Sequence, residues 1–307
     1  MAKISVVVHG LGNIGAHVVQ ALETAEDMEC LGVIRRAASL GKQPNDLRGV
    51  PDFASLEDLV TSREKPDVAI VCGPSRNVPK DAKTYLAAGL HTIDSFDIHS
   101  EVPALVTSLH GEAKKNRRVA VTAAGWDPGT DSVLRALFEA MAPKGTTFTN
   151  FGRGRSMGHS VAARSITGVA DATSITIPIG GGRHSRLVYI LPEKGASQEN
   201  IADLLAVDNY FSHDPLDVRF VASREELDQV ADNSHGVLME RIGASGLTSN
   251  QRLSFDMRID NPALTAQVLV SCARAATRLD PGCYTLIDIP PVSLLPGDRM
   301  THIARLV

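Results

Sequence analysis

The sequence predicts an α/β fold: a doubly wound parallel sheet, followed by an α+β region around a mostly antiparallel sheet. Three observations carry this. Short β-branched runs alternate with helical stretches up to about residue 125, the pattern of βαβ units. The first of these runs, ISVVVH at 4–9, enters a glycine motif, GLGNIG. After about residue 145 the alternation gives way to strand-like segments divided by turn signals.

Each element has its own warrant. ISVVVH reads as a strand buried on both faces, which loses the apolar–polar alternation of a half-solvated one. AHVVQALETA then reads as a helix, and CLGVIRR (30–36) as a second strand. PDVAIVCGP (66–74) is a further strand ending in a Gly-Pro turn. KDAKTYLAAGL (80–90) and EVPALVTSLHGEAKKN (101–116) are helical, while HTIDSFD (91–97) and RVAVTAAG (118–125) are strands. Right-handed crossovers make this half doubly wound. TTFTNFGRG, DATSITIPIGGG and RLVYILPE read as strands of the second region. LSFDMRID (253–260) alternates strictly, as a strand with one solvated face does. NPALTAQVLVSCARAATRL (261–279) is a long helix, with Asn261 and Pro262 as cap and first-turn pair.

A chain of 307 residues is long for one core, so two domains are expected. A formal net charge of −4 argues against a nucleic-acid or anionic-membrane surface. No apolar run approaches the ~20 residues of a membrane span. The stretch MAKISVVVHGLG lacks the features of a signal peptide. Cys30, Cys72, Cys272 and Cys283 form no CxxC pair, and the histidines form no ligand-spaced cluster. No metal and no disulfide framework is expected, and a reducing cytoplasm fits.

Gly10, Gly12 and Gly15 stand in G-x-G-x-x-G spacing between a strand and a helix, the context that a dinucleotide site requires. The first glycine permits the tight turn. The second admits a pyrophosphate to the backbone, and the third lets helix and strand pack closely. Asn13 and Ile14, inside the motif, join the candidate cofactor contacts, and the N-terminus of the helix that the motif opens faces the phosphates. At the end of the second strand an acidic residue would select NAD. That region reads VIRRAAS, with Arg35 and Arg36 and no carboxylate. A guanidinium pairs with a 2′-phosphate, so NADP is expected.

The Glu64-Lys65-Pro66 motif resembles the EKP that carries the lysine of sugar oxidoreductases, but here it precedes its strand, on the wrong edge for chemistry. The carboxyl ends of later strands instead carry acids: Asp94 and Asp97 in DSFDIH, and Asp127 beside the lone tryptophan, Trp126, in GWDPG. Two carboxylates near a nicotinamide suit an ammonium substrate, holding the amine and accepting its proton. Aspartates at strand ends also serve as caps and turn formers.

Taken together, GLGNIG, VIRRAA, DSFDIH, GWDPGTDS, SMGHS, HGVLMER, DMRIDNPALTAQ and PGCYTLIDIP resemble the meso-diaminopimelate dehydrogenase family over nearly the whole chain, most closely its thermophilic-type members with relaxed substrate range. The resemblance implies a Rossmann-type dinucleotide-binding domain at 1–125, a substrate-binding and dimerisation domain at 126–260, and a C-terminal segment, 261–307, returning to the first. It implies NADP-dependent oxidative deamination at the D-centre of meso-2,6-diaminopimelate by a cytoplasmic homodimer, acting on a small amino acid with neither nucleic acid nor membrane as partner. Asp97 and Asp127 match the carboxylates at the reacting centre, and Trp126 the stereochemical wall. The resemblance further implies that Phe151, Met157 and Gly158 line the pocket. Thr176, Arg186, His235 and Asn261 hold the far, L-configured end, where a carboxylate calls for a guanidinium, a hydroxyl and an imidazole. Cys72, Gly73 and Ser75 join the cofactor contacts. Read singly, His235 suits a structural turn, Arg186 a surface cation and Thr176 an ordinary β former.

The chain departs from the family pattern in FGRGRSMGHS, where Arg153 replaces a proline and Arg155 an apolar residue, and at Ser249, where relatives carry histidine. These changes leave open a related NADP-dependent D-amino acid dehydrogenase with shifted preference. A different amine dehydrogenase, such as one for 2,4-diaminopentanoate, which has no carboxylate at its far end, and an NADP-sensing regulator without turnover, are the other readings. The first leaves Arg186 nothing to hold, and the second has no use for Asp97 or Asp127.

Overall fold

A computed structural model describes residues 3–42, 47, 49–180, 183–230 and 234–307. The end of the predicted DATSITIPIGGG strand, at Gly181 and Gly182, lies outside the described residues. The chain divides into two compact units: Met1–Ala136 with Pro262–Val307, and Leu137–Asn261.

In the first unit, strands β1 (Ile4–His9), β2 (Met28–Ile34), β3 (Asp52–Phe53), β4 (Val68–Val71), β5 (His91–Asp94), β6 (Val119–Val121) and β14 (Gly282–Tyr284) form one sheet in the order β14-β6-β5-β4-β1-β2-β3. Every pairing in it is parallel. β1 lies between β2 and β4, so the chain reverses its direction of winding there, where open α/β sheets leave a crevice for ligands. Alternate residues of β1 feed two cores. Val6 and Val8 pack with Val18, Val19 and Leu22 of α1 (Asn13–Glu23) and with Leu269, Val270 and Ala273 of α9 (Asn261–Ala276). Val7 packs on the other face with Leu59 of α2 (Leu56–Ser62), Leu86 of α3 (Val78–Ala87) and Leu109 of α4 (Val102–Lys115). Both faces are therefore covered, which is why these strands read as unbroken apolar runs. Each such valine or leucine contributes about 1.5–3 kcal/mol when withdrawn from water.

A buried ion pair fixes the C-terminal segment within this unit. Arg274 of α9 donates through Nε and one terminal nitrogen to the two oxygens of Asp27, at 2.6 and 2.8 Å, and through the other to the Leu294 carbonyl at 2.9 Å. The chain ends in α10 (Arg299–Leu306).

The second unit is entered through α5 (Thr130–Met141). The sequence reading expects one mostly antiparallel sheet here; the structure has two. β7 (Lys144–Phe151), β12 (Ser234–Ser245) and β13 (Thr248–Asp260) form one, in the order β13-β12-β7. β8 (Gly154–Arg155), β9 (Val169–Gly180), β10 (Arg183–Pro192) and β11 (Leu216–Phe220) form the other, in the order β11-β10-β9-β8, with β11 parallel to β10. The helices α6 (Met157–Arg164), α7 (Gln198–Val207) and α8 (Arg224–Val230) complete the unit. Its core gathers Ala163, Val188, Ile190, Ile201, Leu205 and Phe211.

Candidate active site

The glycine loop leaves β1 with Gly10 at φ +93°, where a Cβ would press on the Cys72 carbonyl at 3.1 Å. A Cβ on Gly15 would strike the Gly10 carbonyl, so helix and loop approach as closely as glycine alone allows. Gly12 differs: a Cβ there meets nothing within 4 Å, so its backbone faces open space. Gly12 is also the N-cap of α1, with no side-chain cap and no acid in the first turn, which Asn13 and Ile14 open. An uncapped helix start without a carboxylate leaves its N–H dipoles to an anion, and the set fits a pyrophosphate. Cys72 and Gly73 follow β4 alongside, the Cys72 N–H donating to the His9 carbonyl at 2.8 Å.

The two arginines differ in their surroundings. Arg35 is nearly covered, at 12% side-chain exposure, and pairs with Asp52 at 3.3 Å while donating to the Lys42 carbonyl at 3.3 Å. The same carboxylate accepts the Gly41 N–H at 2.9 Å. Arg35 thus ties the segment after β2 to β3, whereas Arg36 is exposed.

The two acids of DSFDIH also separate. Asp94 is fully buried, and its Oδ1 accepts from the Phe96 N–H, the Thr122 hydroxyl and the Ala123 N–H at 3.0, 2.8 and 3.2 Å. Burial lifts its carboxyl to about 6 against the pull of these donors. Asp94 therefore ties β5 to β6 from inside. Asp97 is exposed, and the Ser75 hydroxyl donates to its Oδ1 at 2.6 Å.

Beyond β6, the chain turns through Trp126, Asp127, Pro128 and Gly129 into α5. Gly129 sits at φ +146°, where a Cβ would collide with the Gly125 carbonyl. Trp126 is buried, and its carbonyl accepts from the Asp131 N–H at 3.0 Å and the Thr130 hydroxyl at 3.2 Å. Asp127 is mostly covered; Arg135 lies 3.3 Å from its Oδ1 and His99 3.9 Å from its Oδ2. Arg135 also reaches Asp131 at 3.5 Å. The sequence reading missed His99, Asp131 and Arg135, although the i,i+4 spacing of Asp131 and Arg135 is an available signal.

In the second unit the ladder pairs Gly154 with Thr176 and Thr176 with Arg186, placing all three on one face. Arg186 donates to the Thr176 hydroxyl at 2.6 Å and, through Nε, to Asp214 at 2.7 Å. Two residues before Arg186, on the same face, His184 accepts the Phe151 N–H through Nε2 at 3.0 Å. That ring therefore carries its proton on Nδ1, and burial pushes its pKa down. The Phe151 ring neighbours two imidazoles, 5.0 Å from the His184 ring and 6.2 Å from that of His235. His235 is buried and accepts the Gly236 N–H through Nδ1 at 2.8 Å. Met157 and Gly158 open α6, and Asn261 opens α9, all partly buried. The structure thus joins Thr176 to Arg186 and Phe151 to His235. It adds His184, which a period-2 reading back from Arg186 would have found, and Asp214, for which the sequence held no signal.

The two loop arginines do not extend this set. Arg155 pairs with Ile175, on the face opposite Thr176 and Arg186, in the field of Arg164, Asp171 and Asp228. Arg153 is exposed. Among the described residues no His, Cys, Asp and Glu group is placed to hold a metal ion, and no helix is long and apolar enough to cross a membrane.

Comparison with known proteins bears on the family and the fold. Residues 4–121 match the oxidoreductase family with an NAD-binding Rossmann fold, and residues 125–182 match the diaminopimelic acid dehydrogenase C-terminal domain. The meso-diaminopimelate D-dehydrogenase of Bacteroides fragilis is 48% identical over 100% of both chains. The crystal structure of the C. glutamicum DAP dehydrogenase in complex with DAP superimposes with a TM-score of 0.89 at 26% identity, covering 100% of both chains. An engineered D-amino acid dehydrogenase bound to NADP+ gives a TM-score of 0.87 at 25% identity, again over 100% of both. With near-half identity along its entire length, the chain belongs to the meso-diaminopimelate D-dehydrogenase family.

Proposed function

We propose that the protein catalyses the NADP-dependent oxidative deamination of meso-2,6-diaminopimelate at its D-configured carbon, giving L-2-amino-6-oxopimelate and ammonia, and the reverse reductive amination. One observation carries the reading. The neighbouring parallel strands β1, β4, β5 and β6 end on one side of their sheet in the glycine loop, Ser75, Asp97 and the Trp126–Asp127 turn. A dinucleotide cradle and two carboxylates thus belong to a single sheet edge.

When bound, the nicotinamide supplies the hydride acceptor. Gly10, Gly12, Gly15, Asn13 and Ile14 would hold the pyrophosphate, Cys72, Gly73 and Ser75 would flank the cofactor, and Arg36 would meet the 2′-phosphate, with Arg35 as its support. Asp127, paired with Arg135, holds the substrate ammonium and takes its proton. Asp97, oriented by Ser75, is the second carboxylate at the amine. Trp126 forms the wall that decides which hydrogen faces the cofactor. In the second unit Arg186, Thr176 and His235 take the far carboxylate and the Asn261 amide oxygen takes the far ammonium, while Phe151, Met157 and Gly158 line the carbon chain. Buried polar groups left unpaired against a shorter substrate then discriminate for the dicarboxylic one.

The DAP complex of a relative and the NADP+ complex of another support the substrate and cofactor. The alternative, a shifted preference among D-amino acids, rests on Arg153, Arg155 and Ser249; the ladder turns Arg155 away from the Thr176 face, and Arg153 and Ser249 are exposed, which favours the diaminopimelate reading. The reading extends to a cytoplasmic homodimer serving lysine and cell-wall precursor metabolism. NADP+ reduction measured with meso-diaminopimelate, D-alanine and D-lysine tests it. The expected result is the highest kcat/KM with meso-diaminopimelate; a higher value with D-alanine or D-lysine transfers the assignment to the alternative.

A further inference from the structure

Asp131 is a fully buried acid on the helical turn that follows Asp127 and has no part in the mechanism above. Its side chain is 0% exposed, yet neither carboxylate oxygen has a hydrogen-bond partner among the described residues. A charged carboxylate in that position is costly unless a counter-charge or a proton neutralises it. The available counter-charge is Arg135, one turn along α5, and it is divided. One terminal nitrogen lies 3.5 Å from Asp131 Oδ2 and the other 3.3 Å from Asp127 Oδ1. Two carboxylates and one guanidinium become neutral only with one proton added. Among the described residues, His99 also faces the cluster, 3.9 Å from Asp127 Oδ2 and open to solvent. The inaccessible member is the natural holder of the proton: burial, reinforced by the charge of Asp127 and opposed by Arg135, raises the Asp131 carboxyl to about 7.

We propose that Asp131 is a positioning residue for the substrate amine: it competes with Asp127 for the Arg135 guanidinium, and so sets the charge that the cluster presents to the ammonium group. The inference rests on the reading of Asp127 as the amine-holding carboxylate. With Asp131 protonated, Arg135 is left to Asp127 and the cluster is neutral. With Asp131 ionised, the guanidinium is divided, the cluster carries a net negative charge, and a cationic amine is held more tightly. The KM for the amino acid then falls by about threefold as pH rises through neutrality, while the KM for NADP does not move.

Two readouts test this. Steady-state profiles on either side of neutrality should show the KM step in the wild type and a flat KM in Asp131→Asn. A step retained in Asp131→Asn overturns the proposal. Carboxyl 13C NMR, with the Asp131 signal identified by its loss in Asp131→Asn, reports the cluster without turnover. Its midpoint should lie near 7 in the wild type. It should fall in Asp127→Asn, where a repulsive charge is removed, and rise in Arg135→Met, where an attractive one is lost. A midpoint that ignores both changes overturns the shared cluster. A wild type that titrates as described but turns over no amino acid counts against the substrate assignment and leaves the cluster standing.

Discussion

Arg186 donates its Nε–H to Asp214 at 2.7 Å, across the joint between β10 and the connection that precedes β11. With one terminal nitrogen bonded to Thr176 at 2.6 Å, the guanidinium plane is fixed from two sides before any substrate arrives. Preorganisation of this kind lowers the cost of binding a carboxylate.

Loss of that support should therefore weaken binding more than chemistry. Asp214→Asn is expected to raise the KM for meso-diaminopimelate about tenfold with a small change in kcat, the pattern of a lost uniform binding contact. D-alanine, which has no far carboxylate, should be unaffected. Parallel steady-state assays with the two substrates check this, and equal losses on both would contradict it.

Arg35 and Arg36 should separate by mutation. Arg36→Ala is expected to raise the KM for NADP by about 10- to 100-fold, leaving NAD and thermal stability little changed. Arg35→Ala removes the partner of Asp52 as well, so it should lower the melting temperature in addition to weakening NADP. Cofactor titrations alongside thermal unfolding would show the split; a destabilised Arg36→Ala with an intact Arg35→Ala would reverse the assignment.

Stability should fall as pH rises through the weakly acidic range. Asp94 and Asp131 are lifted from 3.8 to about 6 and about 7 by burial. Unfolded, both ionise near the lower value, so above it the folded state binds more protons. Their contribution is complete below the unfolded value and is lost as pH passes the folded ones. Asp131→Asn should stabilise the protein above neutrality by roughly 2 kcal/mol, the effect of the shift less the cost of burying an unpartnered amide. Urea unfolding of both proteins in acidic and alkaline buffer measures it. A variant no more stable than wild type on the alkaline side would contradict the account.

The Arg274–Asp27 pair closes the C-terminal segment onto the first unit. Arg274→Met should cost roughly 3 kcal/mol, at the low end for a broken buried pair, because Asp27 is 33% exposed and can recruit water. Arg274 holds the Asp27 carboxyl below its usual range, so this stabilisation is present above the ordinary carboxylate pKa and is lost as pH falls through the depressed one. Chemical denaturation at neutral and acidic pH should show the variant's deficit shrinking in acid; a constant deficit would contradict it.

Much of the first unit was legible because its strands are buried on both faces and its helices periodic. β1, β4 and α1 sit where ISVVVH, PDVAIVCGP and GLGNIG place them. The segment holding α7, β11 and α8 is not legible as elements in the sequence, although Ser197 caps α7 by accepting the Asn200 N–H. β11 is a short edge strand, paired parallel to β10, with little apolar signal of its own. The antiparallel strands were visible singly, but nothing local said that they partition into two sheets. At the site, the glycines were legible because their role is steric and local. Arg35 and Arg36 looked like a pair in sequence, whereas consecutive side chains at a strand end point to opposite sides. Asp214 was invisible because its connection to Arg186 exists only once β10 and β11 are paired.

The central claim is hydride removal from a D-configured carbon whose far end is held as an L-amino acid. It is tested most directly by comparing kcat/KM for meso- and L,L-diaminopimelate with NADP+, with ammonia release measured alongside. The account predicts ammonia matching NADPH and a preference for the meso isomer of at least about 100-fold. Equal or faster turnover of the L,L isomer would contradict it.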